Sequence, residues 1–208
     1  MIAIHPGFID TIHEPQAVFR ALLDAMSRPG LVVALPAAPG ACPLPKAMAA
    51  TILTLADHET TIWLDPGLAA RPEVASYLRF ATAAKITPEP HTATFALVCD
   101  PLTMPPLDAF AQGTPDYPDR STTILLAVDR LDGATAANSR DAQPEATLIM
   151  TGPGIDGTAT LDFTPQPPQL RHQLAQNRSR FPMGVDLIVC APDAIAALPR
   201  SARIQGGS

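Results

Sequence analysis

The sequence predicts an α/β chain folded as a single three-layer domain, with a mixed β-sheet flanked by helices. Three observations carry this. Strand-like runs alternate with helical stripes through the early part of the chain. Several of those runs are apolar without interruption, as expected of a strand covered on both faces, whereas a strand with one wet face alternates. Paired strand-like arms with glycine between them gather late in the chain, where they imply antiparallel hairpins. The sharpest run is Val185, Asp186, Leu187, Ile188, Val189 and Cys190, entered through Phe181, Pro182, Met183 and Gly184. Pro182 cannot donate to a ladder and Gly184 can take a backbone angle denied to other residues, so the entry reads as a shaped turn.

Taken in order, Pro15 suits the first turn of a helix, and Val18, Phe19, Leu22, Leu23 and Met26 follow at helical spacing as one apolar stripe. Ser27, Arg28, Pro29 and Gly30 stop it. Residues 31–35 read as a short strand and the proline-rich 36–45 as irregular. A second helix runs over 46–57, and the β-branched stretch 60–64 is a strand. Pro72 opens a helix to about residue 83; 94–99 is a buried strand; 100–118 is a long excursion with one helical turn at 107–111; 122–128 is a strand again. Residues 146–151 and 158–163 form a hairpin around the glycines at 152, 154 and 157. A helix over 168–178 places Leu170 and Leu174 inward and leads into the 185–190 strand; 194–198 is the last hairpin arm.

The chain has 208 residues, enough for one substantial core, and its 47% hydrophobic content with 16% charged residues excludes disorder in spite of 24 prolines. A net charge of -6 without a Lys/Arg run argues against nucleic acid or an anionic membrane as partner. No stretch approaches the roughly 20 apolar residues of a membrane span, and the start of the chain has no signal-like pattern, so a cytoplasmic protein is expected. Cys42, Cys99 and Cys190 lack paired spacing and read as free thiols in a reducing compartment.

Candidate chemistry is sparse. Gly152, Pro153 and Gly154 could cradle a phosphate, but a nucleotide fingerprint opens a helix and this one opens a strand, so a hairpin turn is the better reading. Asp57, His58 and Glu59 place three titratable groups before a strand, the wrong end for a site in an open α/β sheet. Asp65 and Asp100 follow strands and are better placed, although a proline turn explains both. His5, His13, His58, His91 and His172 show no metal-ligand spacing, and no serine sits in a nucleophile elbow. Neither catalytic nor metal-binding residues are therefore assigned. Arg171 and Arg178 lie seven residues apart on one helix face, followed by Arg180 and Phe181. Cations near the carboxyl end of a helix offset its dipole, which accounts for the arginines without a partner; arginine with an adjacent aromatic is also the composition that carries interface energy, so the alternative is that Arg171, Arg178, Arg180 and Phe181 form a partner-docking edge.

Several words, in order, carry a resemblance: Phe-Arg-Ala-Leu-Leu-Asp-Ala-Met-Ser-Arg-Pro-Gly at 19–30, Leu-Thr-Leu-Ala-Asp at 53–57 with Thr60 and Trp63, Thr-Gly-Pro-Gly-Ile at 151–155, Phe-Pro-Met-Gly-Val-Asp-Leu-Ile at 181–188, and Leu-Pro-Arg at 198–200. Together they resemble the PhnH family, the H subunit of the bacterial carbon-phosphorus lyase complex. The resemblance implies an accessory subunit that associates with the G, I and J subunits. That assembly couples a phosphonate to the ribose of ATP with release of adenine, before the carbon-phosphorus bond is broken. It also implies self-pairing in isolation and a fold similar to pyridoxal-phosphate-dependent transferases without that cofactor. On the sequence's own terms the two lysines, Lys46 and Lys85, lack phosphate-binding words beside them, and no cofactor is expected. The competing reading is an independent small-molecule enzyme, or a ligand-sensing homodimer, acting on a phosphorylated ligand through the Gly152 loop.

Overall fold

The computed structural model describes residues 7–40, 42–133 and 147–205. Its organising element is a mixed sheet in the order β1-β10-β9-β5-β4-β2-β3, built from Val33–Ala34, Ala194–Leu198, Asp186–Cys190, Thr123–Ala127, Phe95–Val98, Thr61–Leu64 and Lys85–Thr87. From β9 across to β3 all neighbours are parallel; β10 and β1 add antiparallel pairs at one edge. The apolar runs are there because both faces are covered. On β5, Leu125 points to one core and Ile124 and Leu126 to the other, and all three are fully buried. On β9, Ile188 and Cys190 go one way and Leu187 and Val189 the other.

The first face is covered by α1 (His13–Ser27), α2 (Lys46–Leu55), the short α3 (Pro66–Ala69) and α4 (Pro72–Thr82). The stripe expected on α1 divides. Val18, Ala21, Leu22 and Ala25 fill the core, while Phe19 and Leu23 stay 45% and 53% exposed. The other face differs from the expectation of flanking helices. It is covered by a second sheet in the order β11-β7-β8-β6 (Arg203–Ile204, Leu148–Thr151, Ala159–Thr164, Arg130–Gly133), with α5 (Leu170–Ser179) beside it. The expected hairpin is β7 and β8, but it pairs with β6 and β11 instead of joining the mixed sheet. The 100–118 excursion is anchored on this side by Leu107 and Phe110, the latter meeting Trp63 edge to face with ring centroids 5.5 Å apart.

The family-like words turn out to be places where the layers lock. Gly154, at φ +80, lies under the helix stop of α1, and a Cβ there would meet the Ser27 carbonyl oxygen at 1.9 Å. Gly30 packs in the same way on Ala159 and Met150. Buried Asn177 acts as a strand partner for Val185, donating to its carbonyl and accepting from its N–H, both at 2.8 Å. Gly184, at φ +118, makes room for that amide. Arg200 grips Asp186 through its side chain and its backbone N–H, and also donates to the Pro118 carbonyl and the Ser121 hydroxyl. The pair is mostly buried.

These locks set two stability expectations. Asp186→Asn or Arg200→Met, by leaving a largely buried partner unpaired, lowers stability in urea titration by roughly 2–4 kcal/mol. Gly154→Ala costs about 2 kcal/mol or more. Gly157→Ala, at φ +71 with nothing within 4 Å of the added carbon, costs only about 1 kcal/mol of backbone strain. Equal costs for the two glycines would show that the contact with Ser27 is not what fixes Gly154.

Candidate functional site

Parallel strands β2, β4, β5 and β9 end side by side, and the connections after β2 and β4 leave toward opposite faces of the sheet. That divergence opens a crevice at the carboxyl edge, the general location of sites in open α/β sheets. A cavity of about 740 Å³ lies there, with Lys46, Asp100, Asp129 and Asp193 as its charged lining and Cys99 and Cys190 among its other walls. A neighbouring hollow of about 510 Å³ is bounded by Cys42, Asp65 and Arg71.

Asp65 is 1% exposed. Its carboxylate accepts from the backbone N–H groups of Leu68 (2.7 Å), Cys99 (2.6 Å) and Asp100 (3.1 Å), so it caps α3 and ties β2 to the end of β4. Asp100 caps the next turn, accepting from Leu102 N–H and the Thr103 hydroxyl. Both aspartates are thus committed to turns. Lys46, the first residue of α2, brings one cation to a cavity with three carboxylates, a balance that disfavours a phosphorylated occupant. Lys85 lies on the edge strand β3, away from this cavity.

The remaining sequence candidates separate. Asp57, His58 and Glu59 form an exposed turn in which Asp57 accepts from Glu59 N–H, at the opposite end of β2. Gly152 packs on the Ser201 carbonyl and Gly154 on Ser27, so backbone fills the space a phosphate would need. His13 pairs with exposed Asp10, whose carboxyl is held down to about 2, first by the His13 and Ile12 backbone N–H groups. His91 lies beside Glu89, and His172 hydrogen-bonds Gln176. Among the described residues no group of three His, Cys, Asp or Glu side chains could hold a metal ion. His5 lies outside the described residues.

The α5 edge is where the sequence reading gains structure. Arg171 donates to the Thr147 carbonyl and ties α5 to the start of β7. Arg180 donates to Gln112 Oε1 at 3.2 Å and lies 3.7 Å from Asp108, tying the end of α5 to the excursion. Arg178 stacks its guanidinium over the Phe181 ring, 4.5 Å from the centroid, with Phe181 51% exposed. Of the four candidate docking residues, two are thus occupied internally and two form a cation–π pair in which Phe181 faces outward and Arg178 is half-buried, its Nε enclosed without a hydrogen-bond partner. Beside them a polar groove of about 270 Å³ runs between α5 and the excursion, lined by Asp108, Gln112, His172 and Gln176 among others. Gln112 is a further structural residue of this edge. It donates to the Leu107 and Phe110 carbonyls, accepts from Arg180 and takes Gly184 N–H on its own carbonyl, yet a lone loop glutamine carries no sequence signal.

The thiols give a chemical test of the crevice at the carboxyl edge. Burial pushes Cys99 and Cys190 up to about 12, so thiolate is scarce at neutral pH and attack on a disulfide reagent is slow. At pH 8, a thiol-reactive chromophore should label no more than Cys42 quickly in the native chain and all three cysteines after unfolding. Fast native labelling of Cys99 would mean that the crevice opens.

Comparison with known proteins agrees with the words quoted above. The family described as bacterial phosphonate metabolism protein (PhnH) matches residues 6–205. A Rhizobium meliloti protein named alpha-D-ribose 1-methylphosphonate 5-triphosphate synthase subunit PhnH is 37% identical over 201 residues, 96% of this chain and 94% of its own length. HtxG of Stutzerimonas stutzeri, described as a candidate C-P lyase subunit protein, is 28% identical over 195 residues, 91% of this chain and 85% of its own length. With a family match and a close relative that both span nearly the whole sequence, the chain belongs to the PhnH family.

Proposed function

We propose that this chain is an accessory subunit of a carbon-phosphorus lyase assembly, required where a phosphonate is coupled to the ribose of ATP with release of adenine. Its partners are the G, I and J subunits, it pairs with itself when isolated, and it acts in the cytoplasm as a single domain. The observation that carries the reading is the pair of relatives named as subunits of such systems. The Arg178–Phe181 stack supports it, because an exposed aromatic held against an arginine is the chemistry of an interface anchor. No helix among the described residues is long and apolar enough to cross a membrane. We further read the fold as related to pyridoxal-phosphate-dependent transferases, with no cofactor of that kind held by Lys46 or Lys85.

One observation supports a second reading, a ligand-sensing chain: the cavity of about 740 Å³ at the carboxyl edge has room for a small ligand, although its three carboxylates against Lys46 weigh against a phosphorylated one. Titration calorimetry of the isolated chain with methylphosphonate and with ATP separates the two, since heat of binding from either would favour sensing.

Co-expression with G-type and I-type subunits should yield a co-purifying complex. Arg178→Ala and Phe181→Ala should each weaken it by about tenfold while shifting stability by less than about 1 kcal/mol. A chain that purifies alone from such cells would sink the proposal.

A further inference from the structure

We infer that the docking edge at the end of α5 continues onto the turn at 114–117, where Tyr117 and Arg120 form its second anchor, and that its occupant is a subunit surface with two apolar pockets. This rests on the reading of the chain as a subunit and extends it to residues outside the α5 words. Tyr117 is 51% exposed, as is Phe181. Each ring carries a guanidinium over one face: Arg120 lies 4.2 Å from the Tyr117 centroid, Arg178 4.5 Å from that of Phe181. A lone exposed aromatic is ordinary. Here the cation–π pairs found among the described residues are these two, and they stand on adjoining turns. Neither ring belongs to either core.

Three ties bring the turns together. Arg200 Nη1 donates to the Pro118 carbonyl at 2.6 Å and to the Pro182 carbonyl at 3.5 Å, so one guanidinium holds the residue that follows each ring. The Gln112 carbonyl accepts from Gly184 N–H at 2.9 Å, and Gln112 Oε1 accepts from Arg180 at 3.2 Å. The turn that carries Tyr117 is closed on itself. Thr114 and Tyr117 exchange backbone hydrogen bonds, both 3.1 Å, and the Thr114 hydroxyl also accepts from Tyr117 N–H at 3.0 Å. Gly113, at φ +72, lies so close to Pro118 that a Cβ would meet its carbonyl oxygen at 2.8 Å. Both rings therefore stand on fixed backbone with a fixed separation, which suits a single partner that receives the two together.

The surroundings select that partner. Charge around the rings is nearly balanced: Arg120 has exposed Asp116 and Asp119 beside it, and Arg180 has Asp108 at 3.7 Å, which leaves Arg178. Recognition then rests on burying the rings, and buried aromatic anchors need pockets on the other side. A second copy supplies none at this place. A two-fold contact sets the same patch on both chains, and the concavity next to the rings is the groove of about 270 Å³, whose lining is polar apart from Pro106 and Leu107. Nucleic acid, which also stacks on aromatics, meets a chain of net charge -6. A different protein chain with two apolar pockets is the occupant that fits.

The test uses the full chain co-expressed with the G, I and J subunits. Tyr117→Ala should weaken the purified complex about tenfold in Kd, and with Phe181→Ala about a hundredfold, while the melting temperature of the free chain stays unchanged. Tyr117→Phe, which keeps the ring, should bind as the wild type does. Hydrogen exchange in the wild-type complex, which needs no variant, should slow over 112–121 as well as 178–184. If the wild type assembles while Tyr117→Ala binds equally and exchange over 112–121 is unchanged, the second anchor is overturned and the subunit reading stands. A wild type that stays alone overturns both. A loss with Tyr117→Phe equal to that with Tyr117→Ala also overturns the apolar pockets, and light scattering in which Tyr117→Ala turns a dimer into a monomer overturns the inference by assigning the surface to a second copy.

Discussion

The double coverage of the mixed sheet is the constraint on which everything else depends. β4, β5 and β9 bury every alternate residue against helices on one side and against a second sheet on the other. Each fully buried Leu, Ile or Val there contributes roughly 1.5–3 kcal/mol, and none can be spared for chemistry. What remains for function is the carboxyl edge of the parallel strands and the outer surfaces of the covering layers. At the edge, Asp65 and Asp100 are consumed in holding turns, and the cavity beyond them carries more carboxylate than cation. The outer surfaces carry the unspent apolar and cationic side chains.

The words that identify the family are the pins of this architecture. The helix stop at 27–30 and the hairpin turn at 151–155 interlock through Gly154 and Gly30, which joins the first face to the second across the edge of the sheet. Asn177, Gly184 and Val185 fix where α5 hands over to β9, and Asp186 with Arg200 fastens β9 to the 118–121 loop. Such pins place α5 and the excursion rigidly against each other. In consequence Phe181 is presented at the surface with its ring held under Arg178.

Much of this was legible in the sequence, for identifiable reasons. β5 and β9 read as buried strands because uninterrupted apolar runs need two covered faces, and α4 read correctly because Pro72 and the stripe through Val74, Tyr77 and Leu78 agree. β3, β6 and β11 did not, since they are two to four residues long and only partly buried, and long-range pairing holds them in place. The second sheet was therefore invisible even though its central hairpin was not. At the α5 edge, the sequence sets Arg180 beside Phe181, whereas it is Arg178, one helical turn earlier, that stacks on the ring. The internal ties of Arg171 and Arg180 could not be read either, because Thr147, Gln112 and Asp108 are distant in sequence. The exposure of Phe19 and Leu23 was hidden for another reason: periodicity marks both as apolar, but only packing shows that the core is already filled by Val18, Ala21, Leu22 and Ala25.

On the proposed reading, function lies in assembly and the chemistry belongs to the assembled complex. The most direct measurement is adenine release from ATP with methylphosphonate, assayed with the isolated chain, with the other subunits, and with the two mixed. Release that requires the mixture is the predicted result. Sustained adenine release by this chain alone would contradict it and move the search for catalysis to the crevice at the carboxyl edge.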